Sequence, residues 1–340
     1  MTDVEQIDIA TTSDDILESI HDLLVIAEAE DLPDGEPMPL AQRLAYWRNP
    51  HDHSRILRWV IRDGDRTIAF SDSWVHREQN LENGMGWVFV HPDHRSKGLA
   101  RPVAKPMLDS LEEDDRVRFA TFARVGSPDE AILERAGLKL AYQEKRSRLN
   151  LNNLDWELMD DWIRRASERA NEYELILVEY PVAQDLVQKV CDLFLIMNTA
   201  PREDYEEEDH VMTPDMLRDI EVKQTAQGRT MLTYVAAHRT SGQWAGFTTV
   251  AYQSLEPHLA WQWDTGVHPD HRNMGLGRWL KGQMIEKLHH DHPDVRMIDT
   301  ENAGSNEPML NINVEMGFKP ILVTNYWQGS LATLRERLQA

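Results

Sequence analysis

Val90–Arg101 reads VHPDHRSKGLAR and Val267–Arg278 reads VHPDHRNMGLGR, identical at nine of twelve positions with a constant offset of 177. A segment this specific occurring twice means that one domain occurs twice. The copies also end alike. Gly137-Leu138 and Gly317-Phe318 each introduce a short polar-apolar strand and then a helix-like stretch, Asp155–Ala166 and Ser330–Leu338. The chain is therefore expected to divide near residue 170 into tandem units, residues 1–170 and 171–340.

Working outward from the repeat, strand and helix patterns alternate in the same order in both units. In the first, a strand-like Val4–Ile9 precedes a helix over Asp14–Ala29, with Thr12 and Ser13 as caps, and a second helix over Leu40–Trp47. Ile56–Ile61 and Thr67–Val75 alternate around Asp63-Gly64 as a hairpin, and Gly86–Val90 is the strand that feeds the repeat. Beyond the repeat a helix reaches about Leu111, with Pro106 expected to kink it. The second unit runs through Glu174–Val178, a helix over Asp185–Met197, a Thr213-capped helix to Lys223, and strands Met231–Ala237, Ala245–Ala251 and Trp261–Val267. After the repeat come a helix to His289, a strand Arg296–Thr300, a helix Asn306–Met316 and a strand from Phe318. This alternation gives an α/β or α+β fold on a mixed sheet.

With 41% hydrophobic and 28% charged residues, 340 positions can bury two full cores. The single cysteine, Cys191, excludes an intrachain disulfide framework; in the apolar run Val187–Met197 it reads as a small buried hydrophobe. No run of eighteen apolar residues occurs, and the N-terminal residues are acidic without an apolar leader, so a cytoplasmic location is expected. A formal charge of −22 disfavours nucleic acid and anionic membrane as partners.

In both copies of the repeat a strand ends at a valine, a turn carries Arg-x-x-Gly-x-Gly/Ala, and a helix follows. Free amides of the helix's first turn, its dipole and small residues make an anion site suited to a phosphate or pyrophosphate. Gly275 and Gly277 supply backbone access, with Arg272 and Arg278 adding charge; Gly98, Ala100, Arg95 and Arg101 correspond. The spacing is neither a dinucleotide-binding fingerprint nor a phosphate-binding loop ending in Gly-Lys-Ser/Thr. The histidine pairs His91/His94 and His268/His271 lack a third ligand at recognisable spacing, so no metal is expected.

These residues resemble the GCN5-related N-acetyltransferase (GNAT) superfamily in each unit. VHPDHRNMGLG is similar to the family's strand-turn-helix motif, and TENAGSNEPMLNINVEMGF to its later strand-helix region. The tandem arrangement is similar in architecture to mycothiol synthase-like double-GNAT proteins. The resemblance implies, in each unit, a mostly antiparallel twisted sheet whose splayed central strands admit the pantetheine arm of acetyl-CoA, the acyl donor. By position, Thr265, Gly266 and Val267 meet the pantetheine. Arg272, Asn273, Met274, Gly275, Leu276, Gly277 and Arg278 cradle the pyrophosphate, and Asn302 and Asn306 lie beside the arm or thioester. Val90, Arg95, Ser96, Lys97, Gly98, Leu99 and Ala100 correspond in the first unit. The backbone amide near Val267 faces the thioester oxygen.

Two family positions are altered. The usual glutamate base becomes Trp261 or Gly84, and the tyrosine that protonates the departing thiolate becomes Asn313 or Leu133. Asp264 and Glu301 are the nearest carboxylates to act as base, and Tyr326 a candidate acid. The first unit lacks the second's asparagines, so the second is expected to be catalytic and the first degenerate. The acidic loop APREDYEEEDH points to a cationic acceptor at Glu206, Glu207 and Glu208, with Trp261 and Trp263 as an aromatic floor. The leading reading is acetyl transfer to a primary amine of a small molecule by direct attack. The alternatives are a non-catalytic CoA-binding regulator, or acylation of a cysteinyl or amino-sugar metabolite; oligomeric state and acyl chain length stay open.

Overall fold

The computed structural model describes residues 3–33 and 35–339. The chain forms two compact units: Met1–Gln143 with Glu203–Glu208 and Leu322–Ala340, and Glu144–Arg202 with Asp209–Ile321. A single cut at residue 170 does not follow these units, because each borrows segments from the other half of the sequence.

Unit 1 is built on the strand order β1 (Glu5–Ile7), β2 (Ser54–Asp63), β3 (Arg66–His76), β4 (Asn83–Val90), β5 (Arg118–Arg124) and β12 (Lys319–Ser330). Helices α1 (Asp14–Asp31) and α2 (Leu40–Arg48) contribute Leu17, Ile20, Leu23 and Trp47 to a core on one sheet face. On the other face α3 (Ala100–Glu113) buries Val103, Met107 and Leu111, joined by Leu331 and Leu334 of α10 (Leu331–Gln339). The α3 helix runs through Pro106 without a break. Ser13 sits at the N-cap of α1 as expected, but its side chain makes no capping hydrogen bond.

Unit 2 has the order β6 (Lys139–Asn150), β11 (Met297–Ala303), β10 (Leu259–Val267), β9 (Trp244–Gln253), β8 (Arg229–His238) and β7 (Tyr173–Glu179). One face is covered by α5 (Trp156–Arg169) and α8 (Leu276–Asp291), which bury Met159, Trp162, Met284 and Leu288. The other carries α6 (Val187–Phe194), with Cys191 in its core, and α7 (Pro214–Ala226), whose Thr213 cap accepts from Met216 N at 3.2 Å. The helix α9 (Glu307–Met316) follows β11.

The central pair of each sheet is parallel and short. Asn83–Met85 of β4 pair with Arg118–Ala120, and Leu259–Gln262 of β10 pair with Met297–Thr300. Beyond Gln262, β10 keeps only its antiparallel partner, Thr265–Val267 lying against Gly246–Thr248. The fork between β10 and β11 is therefore open, as the resemblance implies, and a register shift between Gln262 and Thr265 bends β10 at its mouth.

Closing strands are exchanged. Asn150 to Glu144 of β6, which follows the first unit's α4 (Pro128–Arg135), pair with β11 of unit 2. Thr324–Ser330 of β12, which follow α9, pair with β5 of unit 1. A charged ladder fixes the first exchange. Asp299 is fully buried and accepts from Arg146 (3.0 and 2.7 Å) and Arg148 (2.6 and 2.9 Å), two residues on one face of β6. A one-residue slip of β6 would leave the Asp299 charge unpaired in the sheet. The second exchange rests on apolar burial of Trp327, Leu331 and Leu334 and on an Arg335–Asp109 ion pair at 2.7 Å. Among the described residues no helix is long and apolar enough to cross a membrane.

Candidate functional site

The repeated turn is built identically in both units. His268 Nδ1 accepts from Asp270 N at 3.3 Å, and His91 Nδ1 accepts from Asp93 N at 3.2 Å, so each first histidine caps a 3-10 turn. Arg272 Nε donates to Val267 O at 3.1 Å, and Arg95 Nε to Val90 O at 3.2 Å, tying the turn to the end of its strand. Asn273 and Gly275 then adopt φ of 65° and 84°, and Ser96 and Gly98 adopt 62° and 77°. Left-handed residues at these places turn successive amides toward one concavity at the helix N-terminus. A side chain at Gly275 would be strained in this backbone, although no atom lies within 4 Å of its Cβ position.

The arginines of the turn also have partners within the protein. Arg272 also donates to Thr199 Oγ1 at 2.6 Å, and Arg278 is held by Glu315 at 2.5 Å over the Trp162 ring. In unit 1, Arg95 pairs with Glu30 at 2.5 Å. Arg278 and Arg95 are thus each paired with a carboxylate, whereas Arg272 is held by two neutral oxygens and adds its positive charge to the amides of Leu276, Gly277 and Arg278 and the α8 dipole.

At the fork of unit 2 lies a cavity of about 490 Å³, lined by Trp261, Trp263, Asp264, Thr265, Glu301, Asn302 and Asn306 among others. Both tryptophans expected to floor an acceptor site are thus at the cavity. Asp264 follows the β10 bend, densely surrounded, and burial raises its carboxyl to about 6. Glu301 sits at the rim, its pKa raised by burial against the pull of Arg146. Arg146 itself stacks 4.3 Å from the centre of the Trp261 ring. Gln262 donates to Thr248 Oγ1 and Thr249 O, leaving its buried Oε1 without a donor among the described residues.

Lys281 escaped the sequence reading. It occupies the core face of α8, three residues before Met284 and seven before Leu288, lines the cavity, and is 1% exposed. Burial lowers its pKa to about 7. Its Nζ donates to Asn313 Oδ1 at 2.8 Å, and Asn313 Nδ2 donates to Asn302 Oδ1 at 2.7 Å. The residue in the family's tyrosine position is thus one link in a lysine-asparagine-asparagine chain that begins and ends at the cavity wall. A charged residue on the apolar stripe of a helix was the available signal.

Other expected site residues fall elsewhere. Tyr326 belongs to unit 1, stacked on Tyr142 with centroids 4.4 Å apart, and does not line the unit 2 cavity. Nor do Glu206, Glu207 and Glu208, whose segment also belongs to unit 1. Glu206 pairs with Arg118 at 2.9 Å, its carbonyl accepts from Asn83 and Gln328, and Glu208 accepts from Asn80 N at 2.7 Å. The acidic run is held by partners in unit 1, chiefly backbone and side-chain donors of the strand β4, the turn before it and β5.

The profile of the acetyltransferase (GNAT) family matches residues 189–318, which contain the fork, the turn and the lysine-asparagine chain. This segment is a GNAT-family acetyltransferase domain. The whole chain has the tandem GNAT fold. It is similar to a tandem GNAT protein from the clavulanic acid biosynthesis pathway (TM-score 0.77, 21% identity, 97% of this chain and 99% of that one). It is also similar to a GCN5-related N-acetyltransferase from Sphaerobacter thermophilus (0.69, 12%, 97% and 95%) and to Saccharomyces cerevisiae N-myristoyltransferase (0.57, 10%, 96% and 80%). At these identities the likeness is one of fold. No curated protein matches the chain by sequence.

Proposed function

We propose that unit 2 transfers an acetyl group from acetyl-CoA to a primary amine of a small molecule by direct attack in a ternary complex. The observation that carries this reading is the meeting of three features at one place. The unpaired edge of β10 lies open over Thr265–Val267, the amide-lined turn leads into α8, and Asp264 and Lys281 both line the cavity at the fork.

In this reading the turn from Arg272 to Arg278 holds the pyrophosphate, and the pantetheine pairs along Thr265–Val267. The amine enters over Trp261 and Trp263, with an N–H directed to Gln262 Oε1. Its nitrogen attacks the thioester carbonyl carbon and loses a proton to Asp264; the C–S bond breaks, and Lys281 supplies a proton to the sulfur. A carboxyl near 6 and an ammonium near 7 are suited to accepting and donating protons close to neutrality. The acceptor is no longer assigned as cationic on account of Glu206–Glu208.

Unit 1 is read as non-catalytic. At the positions corresponding to Asp264, Lys281 and Asn313 it carries Trp87, Ala104 and Leu133, none of which moves a proton. A CoA-binding regulator is the competing reading, favoured by tryptophan and asparagine at the family's base and acid positions. Acetyl-CoA consumption against a panel of amines, read as released thiol, separates them. Turnover that Asp264→Asn lowers at least a hundredfold supports transfer, whereas binding without thiol release from any amine supports the regulator.

A further inference from the structure

Unit 1 holds its own cavity, of about 570 Å³, beneath α1 and α2. Its floor is a rung across three strands: Arg58 of β2 lies opposite Asp72 of β3, which lies opposite Trp87 of β4. Residues two places along a strand share its face, so Phe70 and Trp74 flank Asp72, and Trp47 of α2 closes the wall.

Arg58 is 6% exposed, and its Nε has no hydrogen-bond partner among the described residues, even though Asp72 is its cross-strand neighbour. The guanidinium lies 5.6 Å from the centre of the Trp47 ring. Leaving such a group buried without an acceptor is unfavourable for folding. Nearby Arg43, by contrast, is satisfied by Glu28 and by His21 Nδ1. Asp72 lines the same cavity, held by the Trp87 amide, and burial raises its carboxyl to about 6 against the attraction of Arg58. In unit 2 the two positions corresponding to Arg58 and Asp72 hold Thr233 and Thr249, which bond each other at 2.8 Å, and the only carboxyl of that rung is Asp264, in the place of Trp87. The charged rung therefore does not follow from the shared fold.

We propose that this cavity binds a free amino acid with an apolar side chain, its carboxylate held by Arg58, its ammonium by Asp72, and its side chain between indole rings. A guanidinium recognises a carboxylate through paired donors. A simple carboxylic acid leaves Asp72 unanswered, and a simple amine leaves Arg58 unanswered. A zwitterion answers both, and the tryptophans supply apolar walls that favour an aliphatic or aromatic side chain. Recognition of the two charged groups uses only residues of this cavity, and so does not rest on acyl transfer by unit 2.

The test is calorimetry and thermal melting of the full chain with each of the twenty amino acids and no acetyl-CoA. At least one apolar amino acid is expected to saturate one site per chain and raise the melting temperature. Its primary amide and its deaminated acid should each bind at least tenfold more weakly. Arg58→Met should abolish binding without lowering the melting temperature of the unliganded protein, since it removes a buried guanidinium whose Nε lacks a hydrogen-bond acceptor among the described residues. Asp72→Asn should weaken binding of the amino acid but not that of the deaminated acid. The proposal is overturned if no amino acid saturates, if the amide binds as well as the acid, or if Arg58→Met binds undiminished. A fall in the melting temperature of Arg58→Met also overturns it, by giving Arg58 a structural role.

Discussion

Asp264 and Lys281 owe their proton affinities to burial, acting in opposite directions on the two charge types. Asp264 accepts a proton only once ionised, so kcat/KM for acetyl transfer should rise with pH through about 6, and Asp264→Asn should lose that limb. Lys281 makes a second, activity-free prediction. Between about 7 and 10.5 the unfolded chain keeps this proton while the folded chain has released it, so this group makes stability rise with pH across that window. The slope is up to about 1.4 kcal/mol per unit. Urea unfolding of Lys281→Met should show a flatter dependence than wild type; equal slopes would mean that the lysine titrates normally. Legibility differed between such residues. Asp264 and the two tryptophans beside it stand on the strand feeding a repeated motif, so position alone picked them out. Lys281 was hidden because a lysine in a helix ordinarily snorkels to solvent, and only the packing of α8 shows that this one does not. Glu206–Glu208 misled for a related reason, since their partners Arg118 and Asn80 are remote in sequence. Changing all three to glutamine should leave the acceptor's KM unaltered at low and high salt. It should reduce stability by no more than about 1 kcal/mol for the exposed Arg118 pair. A KM that rises only at low salt would return them to the acceptor site.

The exchanged strands set the behaviour of whole elements. Strand and helix order was readable because each element carries its own period, and the hairpins, the Thr213 cap and the motif helices lie where the pattern places them. The exchange was not readable. β6 and β12 occupy equivalent places after equivalent helices, and either could close either sheet without altering the alternation of apolar and polar residues. Only cross-strand partners decide, through Asp299 with Arg146 and Arg148 on one side and the burial of Trp327 on the other. Separately expressed fragments 1–170 and 171–340 should therefore fail to show cooperative thermal unfolding, while co-expression should restore it. Two fragments that each melt cooperatively would contradict the exchange. Asp299→Ala, which strands two arginines at the β6–β11 pairing, should destabilise unit 2 by about 3 kcal/mol or more, measured by chemical denaturation.

At the scale of the molecule, one sheet-and-turn plan occurs twice with different side chains at its two cavities. Both units have the braced turn with its left-handed residues, but Asp264 and Lys281 line the cavity of unit 2, whereas Arg58 and Asp72 line that of unit 1. With a formal charge of −22, the chain would draw an anionic donor through a local positive field, that of the α8 N-terminus and Arg272, against its overall charge. The turn before α8 is therefore where added negative charge should oppose donor binding most. Met274 is 38% exposed in that turn, so Met274→Glu introduces a negative charge with little disturbance of packing. Calorimetric titration of wild type and Met274→Glu with acetyl-CoA is the most direct measurement. Wild type should bind saturably, and the variant at least tenfold more weakly, with the larger difference at low salt. No binding by wild type, or equal binding by both proteins, would contradict donor binding at this turn.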